Sequence, residues 1–354
     1  MSNPEPNASA MKKLWADKRK TVRPRAISMM PGGLVKTGIL DADKQLPLVV
    51  EPLMEGTSLA VWAAENKEFI GGQLTKYGAV LFRGFQVRSQ DDFEESLSAM
   101  SHDLMHYVEG ATPRTELTDK VYTSTEYPPD QSIALHNELS YVMTWPSKVW
   151  FCCIVPAETR GETPIADVRR VYDRIPADIR RRFEEKGWML VRNFGDGLSL
   201  PWQKVFRVRD EAELEAYCRE ARVEVEWKAE GRLRTRQARP AVLKHPHTGE
   251  MSWFNHVAFW HVSSLDPKVR EAMQVVFKAE DLPYNTYYGD GTPIEDSVVA
   301  ELRAAYDAET VAFEWKRGDV LMLENMLVAH GRSPYTGQRK ILVGMGEGFS
   351  RTDM

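Results

Sequence analysis

A histidine and a carboxylate stand two residues apart in His136-Asn137-Glu138, at the end of the apolar run Ile133-Ala134-Leu135. Residues i and i+2 of a β-strand point to the same face, so we expect both side chains to converge on one small object. A metal ion accepts imidazole and carboxylate together. Two histidines and one carboxylate are typical of non-haem Fe(II) sites that keep positions open for reactants. An isolated His-x-Glu pair, by contrast, is more often a solvated strand face.

The pair lacks a second histidine, and His330 is our choice because it also ends an apolar run, Met326-Leu327-Val328-Ala329. The other histidines are His102, His106, His245, His247, His256 and His261. The first two have the i, i+4 spacing that suits a metal on a helix, although the same spacing lets them line a helix face. The other four surround a predicted hairpin and have no cysteine near them, so a zinc site there is disfavoured.

Composition limits the class of protein. The chain has 354 residues, 43% of them apolar, and ten tryptophans, enough to bury a large core. Its formal net charge of −5 argues against an extended nucleic-acid surface, which needs clustered positive charge. Three cysteines, with Cys152 and Cys153 adjacent, make neither a disulfide framework nor a paired zinc site and favour the cytoplasm. No apolar run approaches the roughly 18 residues of a membrane span, so we expect neither a membrane protein nor export.

Apolar periodicity and turn residues predict the elements that position the two motifs. We expect helices at residues 58–76, 89–98, 168–186 with a break at 173–176, 210–222 and 299–306. We expect strands at residues 78–85, 149–155 beside the His136 strand, and 340–345, and hairpins at 241–255 and 311–323. The proline-containing segment 111–131 is predicted to be an irregular loop.

The domain organisation follows from these elements. Residues 1–30 hold seven lysines and arginines among few apolar side chains, which is typical of a flexible basic arm. We expect residues 31–354 to form one domain, mainly β with flanking helices: a double-stranded β-helix, or jelly-roll, cupin-like barrel. A polar insertion at about residues 207–239 carries Arg232, Arg234 and Arg236 in alternation. These arginines would receive an anionic substrate or an acidic carrier protein, or form a solvated strand face.

The order of several motifs resembles that of the TauD/TfdA family of Fe(II)- and 2-oxoglutarate-dependent dioxygenases. The residues that carry the resemblance are the 78–85 strand, His136-Asn137-Glu138, Gly161-Glu162-Thr163 with Asp167, Gly318-Asp319-Val320, His330-Gly331-Arg332, Tyr335, Gly337 and Arg339. Residues 137–141 and 253–255 look most like the branch of hydroxylases that act on amino acids and nonribosomal peptides. Two departures are Glu138, where many relatives have aspartate, and Gly161-Glu162-Thr163 in place of a Gly-Gly-Asp-Thr motif.

The resemblance implies a role for each of these positions. His136, Glu138 and His330 would bind Fe(II), and Arg339 would bind the far carboxylate of 2-oxoglutarate with help from Thr163. Dioxygen would be the second co-substrate, with succinate and CO2 released. Halogenases of this chemistry replace the carboxylate ligand with a small residue, so Glu138 disfavours halogenation and leaves hydroxylation, desaturation or cyclisation. Candidate substrate contacts are Ser140, Tyr141, Arg332, and Asn255 with its neighbour His256.

Three functions stay open on the sequence. The first is hydroxylation of an unactivated C–H bond in an amino acid or amino-acid-derived natural-product intermediate, either free or tethered to a carrier protein. The second is a catabolic dioxygenase of a small sulfonate, aryloxyalkanoate or betaine-like acid. The third is a barrel that binds a metal or an acid without turnover.

Overall fold

The structure is a computed structural model that describes residues 28–29, 34–105, 116–118, 121–124, 127–195, 197 and 199–353. Most of the predicted basic arm at residues 1–30 lies outside these ranges, so its nature stays a prediction. The candidate His106 also lies outside them.

The strands in the described ranges assemble into five sheets. In chain order the strands are β1 (Ser28–Met29), β2 (Val35–Asp41), β3 (Leu46–Pro52), β4 (Ala79–Phe82), β5 (Glu116–Thr118), β6 (Val121–Thr123), β7 (Ile133–His136), β8 (Thr144–Val155), β9 (Thr159–Arg160), β10 (Ile165–Asp167), β11 (Trp188–Phe194), β12 (Glu224–Trp227), β13 (Leu233–Arg239), β14 (Leu243–Lys244), β15 (Met251–Ser252), β16 (Tyr284–Tyr288), β17 (Val320–Glu324), β18 (Val328–Arg332), β19 (Tyr335–Thr336) and β20 (Lys340–Ser350).

The largest sheet has nine strands in the order β1-β2-β3-β4-β17-β8-β20-β6-β5 within the described ranges. All neighbours in it are antiparallel except β3 and β4, which are parallel. The long strand β8 lies next to the central strand β17 and pairs with β20 over almost its whole length. The run Val149-Trp150-Phe151-Cys152-Cys153 explains this position, because β-branched and aromatic side chains suit a pleated surface buried on both faces.

A second sheet, β10-β18-β7, packs against the first. One apolar cluster contains Phe151 and Leu321 from the large sheet together with Ile165 and Val328 from the small one. The two sheets therefore face each other across a shared core, and the small sheet carries both candidate metal histidines.

Helices cover the outside of this two-sheet core. In chain order they are Leu59–Glu65, Lys67–Tyr77, Gln90–Met100, Val168–Arg174, Ala177–Lys186, Trp202–Phe206, Glu211–Glu220, Val257–Trp260, Pro267–Val276 and Asp296–Glu309. Side chains of Ser58, Ser89, Asp167 and Asp210 accept main-chain N–H groups at four of their N-termini. In the part of the chain that the structure describes, no helix has both the length and the apolar character needed to cross a lipid bilayer. The fold is therefore a β centre flanked by helices.

A third sheet, β12-β13-β11-β16, includes the predicted polar insertion. The insertion is not separate from the domain, because β13 pairs with β11 along seven residues. Arg234 and Arg236 of β13 form ion pairs with Asp281 and Glu226, respectively. These arginines are thus neutralised within the protein and do not form an open cationic face.

Most predicted helices and strands are present, and three predictions of pairing or loop structure are wrong. Strand β8 does not run beside the His136 strand, because its partners are β17 and β20. Residues 311–323 are not a hairpin: β17 is buried throughout and pairs with β4 and β8 on its two sides. Segment 111–131 is not wholly irregular, because the short strands β5 and β6 extend the edge of the large sheet beyond β20.

Candidate active site

Two histidines meet on adjacent strands of the small sheet. His330 of β18 is directly opposite His136 of β7 in the antiparallel register, so both side chains project from one face. Their ring centroids are 4.5 Å apart. Gly331 permits this approach, since a Cβ atom there would lie 2.6 Å from the main-chain oxygen of Ile133. The two apolar runs that end in histidine thus converge as the sequence predicted.

Glu138 reaches the same point by a different route from the one expected. Strand β7 ends at His136, and the chain continues in two turns, closed by hydrogen bonds from Ser140 N–H to Asn137 and from Val142 N–H to Leu139. The strand alternation that we assumed for Glu138 is therefore wrong. The turn buries its carboxylate, with Oε2 3.5 Å from His330 Nε2.

Asn325 holds the turn that carries Glu138. Its side-chain oxygen accepts the Glu138 N–H at 2.7 Å, and its amide nitrogen donates to the carbonyls of Glu138 and Pro146, both at 2.8 Å. The Asn137 amide in turn donates to the Asn325 carbonyl at 2.6 Å. Asn325 follows β17 and lies far from Glu138 in the chain, so sequence reasoning missed it.

The three candidate metal ligands form one compact group. Each of His136, Glu138 and His330 offers a ligand atom, and all of these atoms lie within 4.8 Å of one another. The His136 Nδ1–H donates to the Ala134 carbonyl at 2.9 Å, which leaves the lone pair on Nε2. His330 Nδ1 is buried with no hydrogen-bond partner among the described residues. Two imidazoles and a carboxylate are a donor set that fits Fe(II), and His330 Nε2 is the ring nitrogen near the Glu138 carboxylate.

A cavity beside this cluster contains the residues expected to bind 2-oxoglutarate. It is lined by Ser124, Ile133, His136, Phe151, Thr163, His330, Gly331, Arg332, Arg339 and Val343. Thr163 is buried, and its hydroxyl oxygen accepts the Trp315 indole N–H at 3.1 Å and an Arg339 N–H at 3.4 Å. Its own hydroxyl hydrogen can therefore donate to a ligand.

Arg339 is held in place before any ligand binds. Its Nε–H donates to the Gly161 carbonyl at 2.9 Å, and a Cβ atom at Gly161 would lie 3.2 Å from the Arg339 Cδ. Within the described ranges no carboxylate lies at ion-pair distance from it. Burial, reinforced by the charge of Arg332, lowers the pKa of Arg339 to about 10, so it is still a cation at neutral pH. A buried cation of this kind favours binding of an anion.

Arg332 also lines the cavity, but most of its hydrogen bonds go to main-chain carbonyl groups. It donates to the carbonyls of Tyr127 at 2.9 Å, Pro128 at 2.6 Å and Gln131 at 2.8 Å. Burial lowers its pKa, and its Nε is buried without a partner among the described residues. Arg332 thus fixes the segment that leads into β7 and adds positive charge to the cavity.

Ser140 and Tyr141 contact a third histidine instead of lining the cavity. The Ser140 hydroxyl is 2.6 Å from His256 Nδ1, and the Tyr141 ring packs edge-on to His256 with centroids 5.0 Å apart. Burial, followed by the charge of His136, holds the pKa of His256 well below its usual range, so its imidazole is neutral. Phe259, which sequence reasoning missed, contacts the His136 ring with the two ring centroids 4.8 Å apart.

Asn255 lies next to this group, and its amide is fully used. Its nitrogen donates to the Ala241 carbonyl at 2.8 Å, and its oxygen accepts the Val257 N–H at 3.0 Å. The structure therefore places it as a link between the β14–β15 hairpin and the helix Val257–Trp260.

Comparison with known proteins gives the class of this fold and site. The sequence model described as "Taurine catabolism dioxygenase TauD, TfdA family" matches residues 43–345. The protein belongs to the TauD/TfdA family of dioxygenases, whose cofactor is Fe(II) and whose co-substrate is 2-oxoglutarate.

Two curated relatives are similar over most of their length. Dapdiamide synthesis protein DdaC of Enterobacter agglomerans is 38% identical over 272 residues, which are 77% of this chain and 83% of DdaC. A clavaminate synthase-like protein of Arabidopsis thaliana is 33% identical over 290 residues, 79% of this chain and 84% of that protein.

Solved structures agree on the fold. PvcB from Pseudomonas aeruginosa superposes with a TM-score of 0.55 at 15% identity, covering 91% of this chain and 94% of that chain. A second PvcB structure, described as an Fe, alpha-ketoglutarate dependent oxygenase from an isonitrile synthetic pathway, gives a TM-score of 0.53 at 14% identity and the same coverage.

Proposed function

We propose that this protein is an Fe(II)- and 2-oxoglutarate-dependent oxygenase that hydroxylates a C–H bond of an amino-acid-derived intermediate in a biosynthetic pathway. The observation that carries the proposal is the placement of His136, Glu138 and His330 beside one cavity that also holds Thr163 and Arg339. Family membership supports the cofactors, and the similarity to DdaC, a dapdiamide synthesis protein, supports a biosynthetic setting.

The roles of the chain's own residues follow from their contacts. His136 and His330 would bind the metal through imidazole nitrogens and Glu138 through its carboxylate. Bound iron would supply a centre at which 2-oxoglutarate and dioxygen react. Arg339 would pair with the far carboxylate of 2-oxoglutarate, and the Thr163 hydroxyl would donate a hydrogen bond to the same group. Phe151, which contacts the His330 ring at 4.9 Å, would exclude water from the metal side of the cavity.

The remaining parts of the proposal concern the fold, the location and the substrate. We propose that the nine-stranded and three-stranded sheets are the two halves of a jelly-roll within a single domain. Three buried cysteines that form no disulfide in the described ranges are compatible with a cytoplasmic location. Ser140, Tyr141 and Asn255 would position His256 and the helix Val257–Trp260, which would border the substrate. Arg332 would add positive charge to the cavity.

In the catabolic alternative, the same iron site would oxidise a small sulfonate, aryloxyalkanoate or betaine-like acid. Only product analysis distinguishes it from the biosynthetic proposal. The non-catalytic alternative differs in having no turnover. Arg339 and Thr163 beside the metal cluster argue against a protein that binds only a metal, whereas a protein that binds an acid without turnover is separated from the oxygenase by the turnover assay.

The test is succinate formation by purified protein with Fe(II), 2-oxoglutarate and oxygen, in the presence of amino acids and carrier-bound aminoacyl groups. We expect one substrate to gain one oxygen atom by mass spectrometry. His136→Ala and His330→Ala should each abolish Fe(II)-dependent succinate formation. His247→Ala is the matched control, because His247 is exposed. Wild-type turnover in either metal-site variant would show that the ligand assignment is wrong, and no turnover in wild type would favour the non-catalytic alternative.

A further inference from the structure

A buried arginine outside the iron site has no hydrogen-bonding partner. Arg192 of β11 is only 1% exposed, and Nε, Nη1 and Nη2 all lack a partner among the described residues. Its guanidinium lies 5.1 Å, 5.8 Å and 5.9 Å from the ring centroids of Phe194, Phe206 and Tyr284. These rings stabilise the charge through their faces, but they accept none of the five N–H donors in the guanidinium plane.

Arg234 on the neighbouring strand shows how a buried arginine is satisfied in this protein. It donates to Asn193 Oδ1 at 3.0 Å and to the Glu280 carbonyl at 2.6 Å, and it pairs with Asp281 at 2.9 Å. Arg192 belongs to the same sheet and has none of these contacts. The difference indicates that the partner of Arg192 is not among the residues that the structure describes.

Two further polar atoms beside Arg192 are buried without partners among the described residues. Thr235 is directly opposite Arg192 on β13, and Gln237 follows two residues later on the same face. Thr235 Oγ1 and Gln237 Oε1 both lack hydrogen bonds. We name Arg192, Thr235 and Gln237 the polar stripe; it offers an ionic donor, a hydroxyl and an amide acceptor in a row.

Two sets of contacts connect the polar stripe to the iron site. The Gln237 amide nitrogen donates to the carbonyl of Tyr141, in the turn that follows Glu138. On the other side of Arg192, Tyr284 stacks on Trp260 with centroids 4.7 Å apart. Trp260 packs against Phe259 at 4.7 Å, and Phe259 contacts the metal-site His136. Residues of the helix Val257–Trp260 thus contact both Tyr284, which is paired with Arg192, and the metal-site His136.

We propose that Arg192 binds a carboxylate of the oxygenase substrate, and that Thr235 and Gln237 bind neutral polar groups next to that carboxylate. The planar guanidinium matches a carboxylate bidentately, and the Gln237 oxygen would accept an N–H such as that of an amino or acylamino group. This inference rests on the proposed function. It favours a free amino acid or N-acyl amino acid over an aminoacyl thioester on a carrier protein, because the thioester has lost the carboxylate charge.

Binding of matched acids and amides tests the proposal. The probes are the protein amino acids, their N-acetyl derivatives and the corresponding carboxamides, each titrated calorimetrically into anaerobic enzyme with Fe(II) and 2-oxoglutarate and into metal-free enzyme. We expect at least one acid to bind and its carboxamide to bind at least about 30-fold more weakly, the loss typical of one missing partner in a buried ion pair. Arg192→Met should abolish this preference, and Arg192→Lys should keep part of it.

Thermal unfolding of the ligand-free protein supplies a second measurement. Removing a buried cation that has no partner should leave the melting temperature of Arg192→Met equal to or above that of wild type. Arg234→Met, the matched control, should melt lower because it breaks an existing network, and it should keep the preference for acids. Equal binding of acids and amides by wild type, binding by no acid, or a melting temperature of Arg192→Met below that of Arg234→Met would overturn the proposal.

Basal 2-oxoglutarate decarboxylation by wild type separates the two levels of inference. If succinate forms but acids and amides bind equally, only the role of Arg192 fails. If no succinate forms under any condition, the oxygenase assignment itself fails.

Discussion

Replacement of Asn325 by alanine should weaken metal binding although Asn325 does not touch the metal. The substitution removes three hydrogen bonds at once: one accepted from the Glu138 N–H and two donated to the carbonyls of Glu138 and Pro146. Both Asn325 and Glu138 are buried, so the freed main-chain groups lose their partners away from bulk water. The turn that presents the Glu138 carboxylate would then relax.

The magnitude can be estimated from these bonds. Each buried polar group left without a partner costs about 1–3 kcal/mol, and water entering the space left by the amide would offset part of the total. We therefore expect a loss of about 3–5 kcal/mol in the free energy of unfolding, or about 4–7 °C in melting temperature for a chain of this length. Outer partners that orient a metal ligand typically change metal affinity by about 10- to 100-fold, and we expect a loss in that range here.

The assay is anaerobic Fe(II) titration of Asn325→Ala with calorimetric detection, alongside thermal unfolding without metal. Asn193→Ala is the matched control, because Asn193 is also buried and makes three side-chain bonds, to the carbonyls of Glu280 and Leu282 and from Arg234. The control should lose similar stability and keep wild-type iron affinity. If both variants bind iron equally well, Asn325 contributes only to folding and the reasoning is refuted.

Three further changes have defined outcomes. Gly331→Ala places a methyl group against the Ile133 carbonyl and should weaken iron affinity at least tenfold by separating β7 from β18, as metal titration would show. Arg339→Lys should raise the KM for 2-oxoglutarate by about 10- to 100-fold with little change in melting temperature, because lysine keeps the charge but loses bidentate pairing. Desolvation raises the pKa of buried Glu309, but hydrogen bonds from Arg174 and Arg170 outweigh it, so the pKa lies below the usual value. The stabilisation that Glu309 contributes is therefore present above pH about 4.5 and is lost as pH falls. Glu309→Gln should therefore cost about 1–2 kcal/mol at neutral pH, and the difference in melting temperature from wild type should shrink in acid.

The sequence predicted the elements that depend on local signals. Polar caps at Ser58 and Ser89 mark two helix starts, and the proline after Ile175 separates the helices Val168–Arg174 and Ala177–Lys186 as expected. The two histidines were also predictable, because each ends an apolar run and such runs form buried strands. The apolar runs were enough to place His136 and His330 at the ends of strands, but they did not show that β7 and β18 are neighbours.

The pairing of strands that are distant in the sequence was harder to predict. The turn residues at Gly318-Asp319 suggested that 311–315 would pair with β17, yet β17 lies in the middle of the large sheet and takes its partners from β4 and β8. A fully buried strand needs hydrogen bonds on both edges, and its apolar run does not specify which distant strands provide them. The same limit applies to Asn325, whose polar side chain after a strand is indistinguishable in sequence from a turn residue.

The turn that carries Glu138 is held in place by residues that do not themselves bind the metal. Three successive carbonyls after Glu138 each receive a guanidinium from a distant segment: Arg351 donates to Ser140 at 2.5 Å and to Val142 at 3.1 Å, and Arg239 donates to Tyr141 at 2.9 Å. Burial, together with the charge of Arg239, lowers the pKa of Arg351 to about 9. Bringing two cations to one turn therefore costs free energy. The carbonyl dipoles offset that cost only while the turn keeps its shape. The accessory sheet, which provides Arg239, and the C-terminal segment, which provides Arg351, therefore both stabilise the geometry of Glu138. The sheet that contains Arg192 thus also supports the carboxylate that would bind iron.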